Sequence, residues 1–166
     1  MTTESAILTA FVKGLQVKLG WTPEQIYSVA APAHIDGMNP DVLQISMGAI
    51  SPYGGGDGYQ DGGSVQKRGN VCVTYFKKIF MDAHGHATEA LTREGEGLME
   101  VRSRICAALA MTVLGGWVLE PVKWAGESMT TWEDPENGLL RRDINFSVVW
   151  AEELPLTVTL TTTDLQ

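Results

Sequence analysis

The sequence predicts an α+β fold, in which an antiparallel β-sheet carries two α-helices on one face. Residues 4–19 and 98–114 repeat apolar side chains at three- and four-residue steps, the pattern of a helix with one buried face. Residues 70–81 and 139–150 instead alternate apolar and polar side chains, as strands with one buried face do. Helices set apart from hairpin-linked strands are typical of the α+β class, and 166 residues suit a single domain over 1–166.

The two helical stretches have end signals. Thr3 can cap the first helix through its hydroxyl, and Gly20 can end it. Gly115 and Gly116 follow the second stretch and predict its end there. The side chains that we expect in the core lie on the apolar faces of the helices and of the last long strand: Phe11, Leu15, Val101, Ile105, Leu109, Ile144, Phe146 and Val148.

Shorter segments also resemble strands. Residues 26–30, 42–47 and 117–124 are predicted strands, and Pro121 places the last of these at a sheet edge or a bulge. Residues 134–138 read Asp-Pro-Glu-Asn-Gly, a dense turn signal before the strand at 139–150. Residues 154–166 alternate leucine or valine with threonine, which fits either a final strand or an arm that pairs with a neighbouring molecule.

A glycine-rich segment over residues 48–69 is expected to form a long exposed loop between two strands. It offers little that can pack in a core, and loops of this length in compact domains are usually functional or disordered. It lacks the Lys-Ser/Thr ending of a phosphate-binding loop and the spaced carboxylates of a calcium loop. The sequence therefore favours a flexible hairpin tip over a ligand site.

Charge and composition exclude several classes of protein. The chain has 12 Lys and Arg against 20 Asp and Glu, a net charge of −8, so specific nucleic-acid binding through neutralised phosphates is not expected. No apolar stretch approaches the ~20 residues that span a bilayer, and the first residues carry no basic run, so neither a membrane span nor a signal peptide is expected. Cys72 and Cys106 lie far apart, and we expect two free thiols in a reducing cytosol.

Signals for catalysis are weak. No nucleophile–base motif or metal-protease motif occurs, and His84 and His86 have only Asp82 nearby as a further ligand. We interpret this pair as solvated turn residues and His34 as a loop residue. The sequence therefore predicts no enzyme activity, no cofactor and no metal site.

Charged pairs and one tryptophan are the candidate contact residues. Basic pairs occur at residues 67–68 and 141–142, and an acidic turn lies just before the second pair. These charges could be solvated, or in an assembly an arginine could hold a neighbour's carboxylate through two parallel hydrogen bonds. Trp132 beside the turn is expected to be exposed, which favours protein interfaces. The candidate subunit interface comprises Lys67, Arg68, Trp132, Glu133, Asp134, Glu136, Arg141 and Arg142.

Residues 98–150 resemble the C-terminal part of the tail terminator proteins of long-tailed bacteriophages, also called tail-completion or head–tail joining proteins. The resemblance lies in a helix with a small-residue end, a short strand, the acidic turn DPENG and a strand with the pattern R-R-D-I-x-F-x-V-x-W. The first half fits the same layout, with an N-terminal helix, a strand at 42–47, a long loop and a strand from residue 70.

The resemblance implies a structural virion protein, assembled in the host cytoplasm, that forms a hexameric ring at the head-proximal end of the tail. Such a ring stops polymerisation of the tail tube and joins tail to head, with DNA passing through its lumen. Its partners would be further copies of itself, the tail tube protein and the head–tail connector protein. Two alternatives stay open: another ring component, such as a tail tube subunit or a connector, and a small-ligand or metal-dependent enzyme module.

Overall fold

A computed structural model describes residues 2–33, 39–54, 59–60, 64–79 and 97–153. Within them the chain forms helices α1 (Thr3–Leu19) and α2 (Leu98–Leu109) and a short 3₁₀ helix (Leu114–Gly116). The strands are β1 (Ile26–Ser28), β2 (Asp41–Pro52), β3 (Tyr59–Gln60), β4 (Ser64–Lys78), β5 (Lys123–Glu127), β6 (Thr131–Asp134) and β7 (Leu139–Glu153).

Two long strands, β4 and β7, form the centre of the sheet. Each has 15 residues, and they pair antiparallel without a register shift from Ser64 opposite Glu153 to Lys78 opposite Leu139. At ~3.4 Å per residue this ladder is about 50 Å long. The strand order is β1-β2-β4-β7-β5; β3 pairs with β4, β6 pairs with β7, and β1 runs parallel to β2. The predicted α+β fold with a mostly antiparallel sheet is confirmed.

The core lies between one face of this sheet and the two helices. The Phe11 ring on α1 meets the Phe146 ring on β7 edge-on, with centroids 6.1 Å apart. Alternate residues of β7 point to this side, as the sequence pattern predicts. The core prediction is confirmed for every residue that it named, since all of these are buried: Phe11, Leu15, Val101, Ile105, Leu109, Ile144, Phe146 and Val148.

The first helix begins and ends close to its predicted limits. The cap is Thr2 rather than Thr3: the Ser5 backbone N–H donates to the Thr2 hydroxyl at 3.3 Å. Gly20 ends α1 with φ of +71°, a left-handed conformation that glycine adopts without steric cost.

The second helix is shorter than its apolar pattern indicates, because it ends at Leu109 and not at residue 114. Met111 takes φ of +64°, and its N–H donates to the carbonyl of Val122 at 2.8 Å. This backbone bond to a later segment draws the chain away from the helix axis. Of the remaining residues of the predicted helix, only Leu114 is helical, as the first residue of the 3₁₀ helix Leu114–Gly116.

The strand predicted at residues 117–124 is displaced, since β5 begins only at Lys123. Pro121 has no N–H for a ladder. Before it, the Leu119 N–H donates to the carbonyl of Val149 at 2.8 Å. The edge position is as expected, since β5 is the last strand in the order; Pro121 itself lies outside β5, and the register against β7 shifts further on, between Trp124 and Gly126.

The prediction of a long loop over residues 48–69 is wrong at both ends, because the residues there belong to strands. Strand β2 continues to Pro52, and β4 begins at Ser64, with Pro52 opposite Lys67. Gly69 lies in the ladder for a packing reason, because a Cβ there would sit 2.7 Å from the ring of the buried Trp150. A one-residue bulge in β2 between Met47 and Ile50 lets the pairing continue past the glycines.

Several predictions concern residues outside the described ranges. These are the glycines at 55–58 and 62–63, the three histidines His34, His84 and His86, and the segment 154–166.

Two Gly→Ala variants should change stability in opposite directions. Gly69→Ala forces a methyl group against Trp150 and should destabilise the fold by about 1–3 kcal/mol. Gly14→Ala lies inside α1 with no atom within 4 Å of the added carbon, and should stabilise it by about 0.5–1 kcal/mol. Urea denaturation followed by circular dichroism measures both, and equal shifts of the two variants in one direction would contradict the packing argument.

Candidate assembly surface

Arg141 lies on the sheet face opposite the helices and is paired within its own chain. Its Nε and Nη2 donate to the two carboxylate oxygens of Asp143 at 3.1 and 3.2 Å, and Nη1 lies 3.5 Å from Glu133. The Asp143 carboxylate raises the pKa of the Arg141 guanidinium, and the guanidinium also lies 5.8 Å from the centre of the Phe76 ring. The sequence suggested an arginine–carboxylate contact between subunits, and the structure places such a contact inside the subunit.

This pairing changes what a charge reversal at Arg141 would report. A glutamate at that position would stand beside the carboxylates of Asp143 and Glu133. Like charges at that distance repel. Arg141→Glu would therefore weaken the subunit itself and cannot test a contact between subunits alone.

Arg142 points to the opposite face, toward the helices, and shares one carboxylate with Arg102 of α2. Arg142 Nε donates to Glu127 Oε2 at 2.7 Å and Nη1 donates to the Thr130 hydroxyl at 2.9 Å. Arg102 Nε donates to both Glu127 oxygens at 2.8 and 2.9 Å, and its Nη2 donates to the same carboxylate. Glu127 on β5 thus ties α2 to β7, a role that its sequence position does not indicate.

The electrostatics of this group follow from its burial. The Glu127 side chain is only 10% exposed, so its charge has little contact with water. Hydrogen bonds from Arg102, and next from Arg142, lower the Glu127 pKa, and the same carboxylate raises the pKa of Arg102. The group is a structural clamp in which one carboxylate joins an arginine of α2 to an arginine of β7.

Lys67 is likewise engaged within the chain. Its ammonium donates to the Glu152 carboxylate and lies 3.6 Å from Glu4 on α1. The hydrogen bond to Glu152 is the main reason that the Lys67 pKa is raised. Lys67 therefore joins the start of α1 to the far end of the β4–β7 ladder.

Arg68 belongs to a second cluster on the other face of β4. Its guanidinium lies 4.3 Å from the centre of the Tyr53 ring, a cation–π distance. The Tyr53 hydroxyl donates to Glu120 Oε1 at 2.5 Å, and Lys123 Nζ donates to Glu120 Oε2 at 2.6 Å. Both hydrogen bonds lower the Glu120 pKa, and the bond from Lys123 has the larger effect.

The three acidic candidates at the turn have different contacts. Asp134 accepts hydrogen bonds from the Asn137 backbone N–H at 3.1 Å and from its side chain at 2.7 Å, so it shapes the turn. Gly138 closes the turn with φ of +65°. Glu133 meets Arg141, whereas Glu136 is exposed at the tip. Of the three acidic candidates, Glu136 presents its carboxylate to solvent most fully.

Exposed apolar side chains beside β5 form a surface that the sequence prediction missed. Trp132 is exposed as expected, but Trp117 and Trp124 are exposed to the same degree. Met111 is 73% exposed, Leu119 53% and Trp124 51%. We call Met111, Leu119 and Trp124 the β5-edge patch.

Backbone hydrogen bonds place the residues of the patch beside β5 and the adjacent part of β7. The Met111 N–H reaches Val122, two residues before Trp124, and the Leu119 N–H reaches Val149 of the adjacent β7. The pattern assigned residues 111–119 to a helix end and a strand. Residues 111–119 are mostly apolar but are interrupted by two adjacent glycines. That interruption was the available signal that this segment belongs to neither the helix nor the strand. Grouped exposed apolar side chains mark contact sites more reliably than scattered ones.

The described residues show no signs of metal or thiol chemistry. No group of three His, Cys, Asp or Glu side chains among them is placed to hold a metal ion. Cys72 and Cys106 are free and half-buried, and burial raises the pKa of both thiols, so neither is activated as a nucleophile. Over the same ranges, no helix is long and apolar enough to cross a bilayer.

No protein-family model matches the chain, and no curated protein matches it. The fold, the surfaces described above and the resemblance in layout are therefore the basis for a functional proposal.

Removal of the Glu127 charge should loosen the contact between α2 and β7. Glu127→Gln keeps the shape but weakens the hydrogen bonds to both arginines, and should cost about 1.5–3 kcal/mol near neutral pH. Because the folded-state pKa is lowered, the stabilisation is complete above the pKa of an unfolded glutamate, about 4.3, and is lost as the pH falls through the folded-state value.

Urea denaturation of natural and variant protein across this pH range measures the effect. The stability difference between them should shrink on acidification. Glu136→Gln, at the exposed turn, is the matched control and should cost little at any pH. A constant difference between natural protein and Glu127→Gln would show that the charge has no role in the clamp.

Proposed function

We propose that this protein is a ring-forming structural subunit at the head-proximal end of a phage tail. There it ends polymerisation of the tail tube and joins tail to head. It binds further copies of itself, the tail tube protein and the head–tail connector protein, and DNA passes through the ring. The resemblance of residues 98–150 to tail terminators motivates the proposal, and the α+β layout is compatible with it.

The observation that carries the proposal is the β5-edge patch. Met111, Leu119 and Trp124 expose large apolar side chains beside an edge strand of an otherwise acidic molecule. Removal of apolar surface from water contributes about 25 cal/mol per Å². A subunit that repeats this contact with each neighbour would recover that free energy at every interface. The patch is thus suited to assembly.

The placement of charge supports the same function. The cationic groups of Lys67, Arg141 and Arg142 are held by carboxylates of the same chain. The net charge of −8 then acts on DNA mainly as repulsion. A channel that transmits DNA benefits from walls that do not grip phosphates.

Assembly of the purified full-length protein tests the self-association. We expect rings by electron microscopy and an oligomer by sedimentation. Leu119→Asp and Trp124→Asp place a charge in the patch and should dissociate the oligomer while the circular dichroism spectrum stays unchanged. Loss of about 2 kcal/mol at one contact, a typical value for an interface hot spot, corresponds to ~30-fold weaker association. Val17→Asp, on the 80% exposed Val17 of α1, is the matched control; patch variants that assemble as well as this control would contradict the proposal.

Phage that carry a patch variant test the place in the virion. We expect separate heads together with tails of abnormal length, because the tube lacks its stop. Labelled natural protein should map to the neck of the particle. Label along the whole tail would identify a tube subunit instead, and normal joined particles from the variant would refute the tail-terminator function.

A further inference from the structure

Among the described residues, the sheet has two open edges, one at each end of its strand order. At one end, no described residue pairs with the outer side of β5. At the other end, β1 covers β2 only from Leu43 to Ile45, where the Val29 N–H donates to the Ile45 carbonyl. Beyond that point, residues 46–52 of β2 have no strand partner on this side among the described residues.

The open part of β2 is unusual for an edge strand that faces water. It reads Ser-Met-Gly-Ala-Ile-Ser-Pro and contains no charged residue, and residues 48–52 are exposed. Proteins normally protect edges with charged side chains, proline, bulges or covering loops, because free backbone groups can pair with another chain. Here a bulge lies at Met47/Ile50 and β2 ends at Pro52, but no charge or described segment covers the exposed residues. An uncharged exposed edge is therefore a surface suited to strand pairing.

The apolar side chains of the two edges lie on the same face of the sheet. Ile50 of β2 is opposite Gly69, which lies beneath Trp150 on the helix side. Trp124 of β5 is opposite Phe146, which also faces the helices. Directly opposed residues share a face. If the two edges met, Ile50 of one copy and Trp124 of the next would lie on the same side of a continuous sheet.

Strand direction favours this meeting in a ring. The four strands β2, β4, β7 and β5 alternate in direction, so β5 runs opposite to β2. Rotation about a ring axis preserves the direction of every strand along that axis. The β5 of one copy would therefore meet the β2 of the next as an antiparallel pair, and a contact between two different edges is of the type that closes into a ring.

We propose that residues 46–52 of one copy pair with β5 of the neighbouring copy, so that the sheet continues from subunit to subunit. The inference rests on the proposed ring and specifies its contact surfaces. Bulges at Met47/Ile50 and at Trp124/Gly126 keep the shared ladder short. The side chains of the β5-edge patch, packed around Ile50, supply the rest of the contact.

Pairs of introduced cysteines test the contact in the full-length chain. Ala49→Cys and Ala125→Cys are combined in a Cys72→Ser/Cys106→Ala background, since both alanines are exposed. Within one chain β2 and β5 are three inter-strand spacings apart, about 14 Å, which is too far for a disulfide. Any disulfide between these positions must join two chains. Mild oxidation should give a ladder of linked chains whose largest product reports the number of subunits in the ring.

Control pairs remove ambiguity about register and random collision. Ser51→Cys with Ala125→Cys samples the next exposed position of β2, so that a register offset does not hide the contact. Val17→Cys with Ala125→Cys places the first thiol on exposed α1 and should give several-fold less linked product. The inference would be overturned if neither β2 cysteine gave more disulfide-linked product than the cysteine at residue 17.

Other occupants of the edge and failure of the ring give different results. A disulfide within one chain between Val158→Cys and Ala125→Cys would show that the chain's own C-terminal segment covers β5, which also overturns the inference. Rings by electron microscopy without linkage from β2 would leave the ring intact and reject only this contact. Linked open fibres without closed rings would confirm the edge contact and reject the ring function.

Discussion

The uninterrupted pairing of β4 with β7 is the constraint on which the rest of the structure depends. Because 15 residues of each strand stay in one register, every side chain of β7 has a fixed face over about 50 Å. Phe146 and Trp150 therefore face the helices, whereas Arg141 faces the opposite side of the sheet. A shift of one residue would invert both assignments. The core, the clamp around Glu127 and the two open edges all take their positions from this ladder.

Local sequence signals predicted the secondary structure correctly where the residues that determine it are close in the chain. The alternation over 139–150 depends on one strand, and the end of α1 depends on Gly20; both were predicted correctly. The segments predicted wrongly are decided by distant partners. Gly69 is a strand residue because β7 brings Trp150 over it, and α2 stops at Leu109 because Val122 binds the next turn. Neither partner can be inferred from glycine content or helical periodicity.

The candidate site shows the same limit in its charges. Among the basic and acidic candidates, the contact that the structure shows is between Arg141 and Glu133, within one chain; the other carboxylates that hold Lys67 and Arg142 were not candidates. Arg141 pairs with Asp143, two residues away. Arg142 pairs with Glu127, fifteen residues away on the adjacent strand β5. The exposure of Trp132 was predictable from its neighbouring turn. The exposure of Trp124 and Leu119 was not, because it follows from the place of β5 at the end of the strand order.

These findings separate the forces that hold the subunit from those available to join subunits. The ion pairs of Glu127 lie within one chain and are partly shielded from water, so these charges are already engaged when the subunit folds. In the part of the chain that the structure describes, the two sheet edges present backbone without a strand partner and apolar side chains, and β5 also carries the exposed Lys123. A contact built from such groups depends on fit and desolvation rather than on long-range attraction. In the proposed ring, such a contact lets acidic subunits associate despite their mutual repulsion, and it requires the two edges to be presented in register. The rigid β4–β7 ladder supplies that condition.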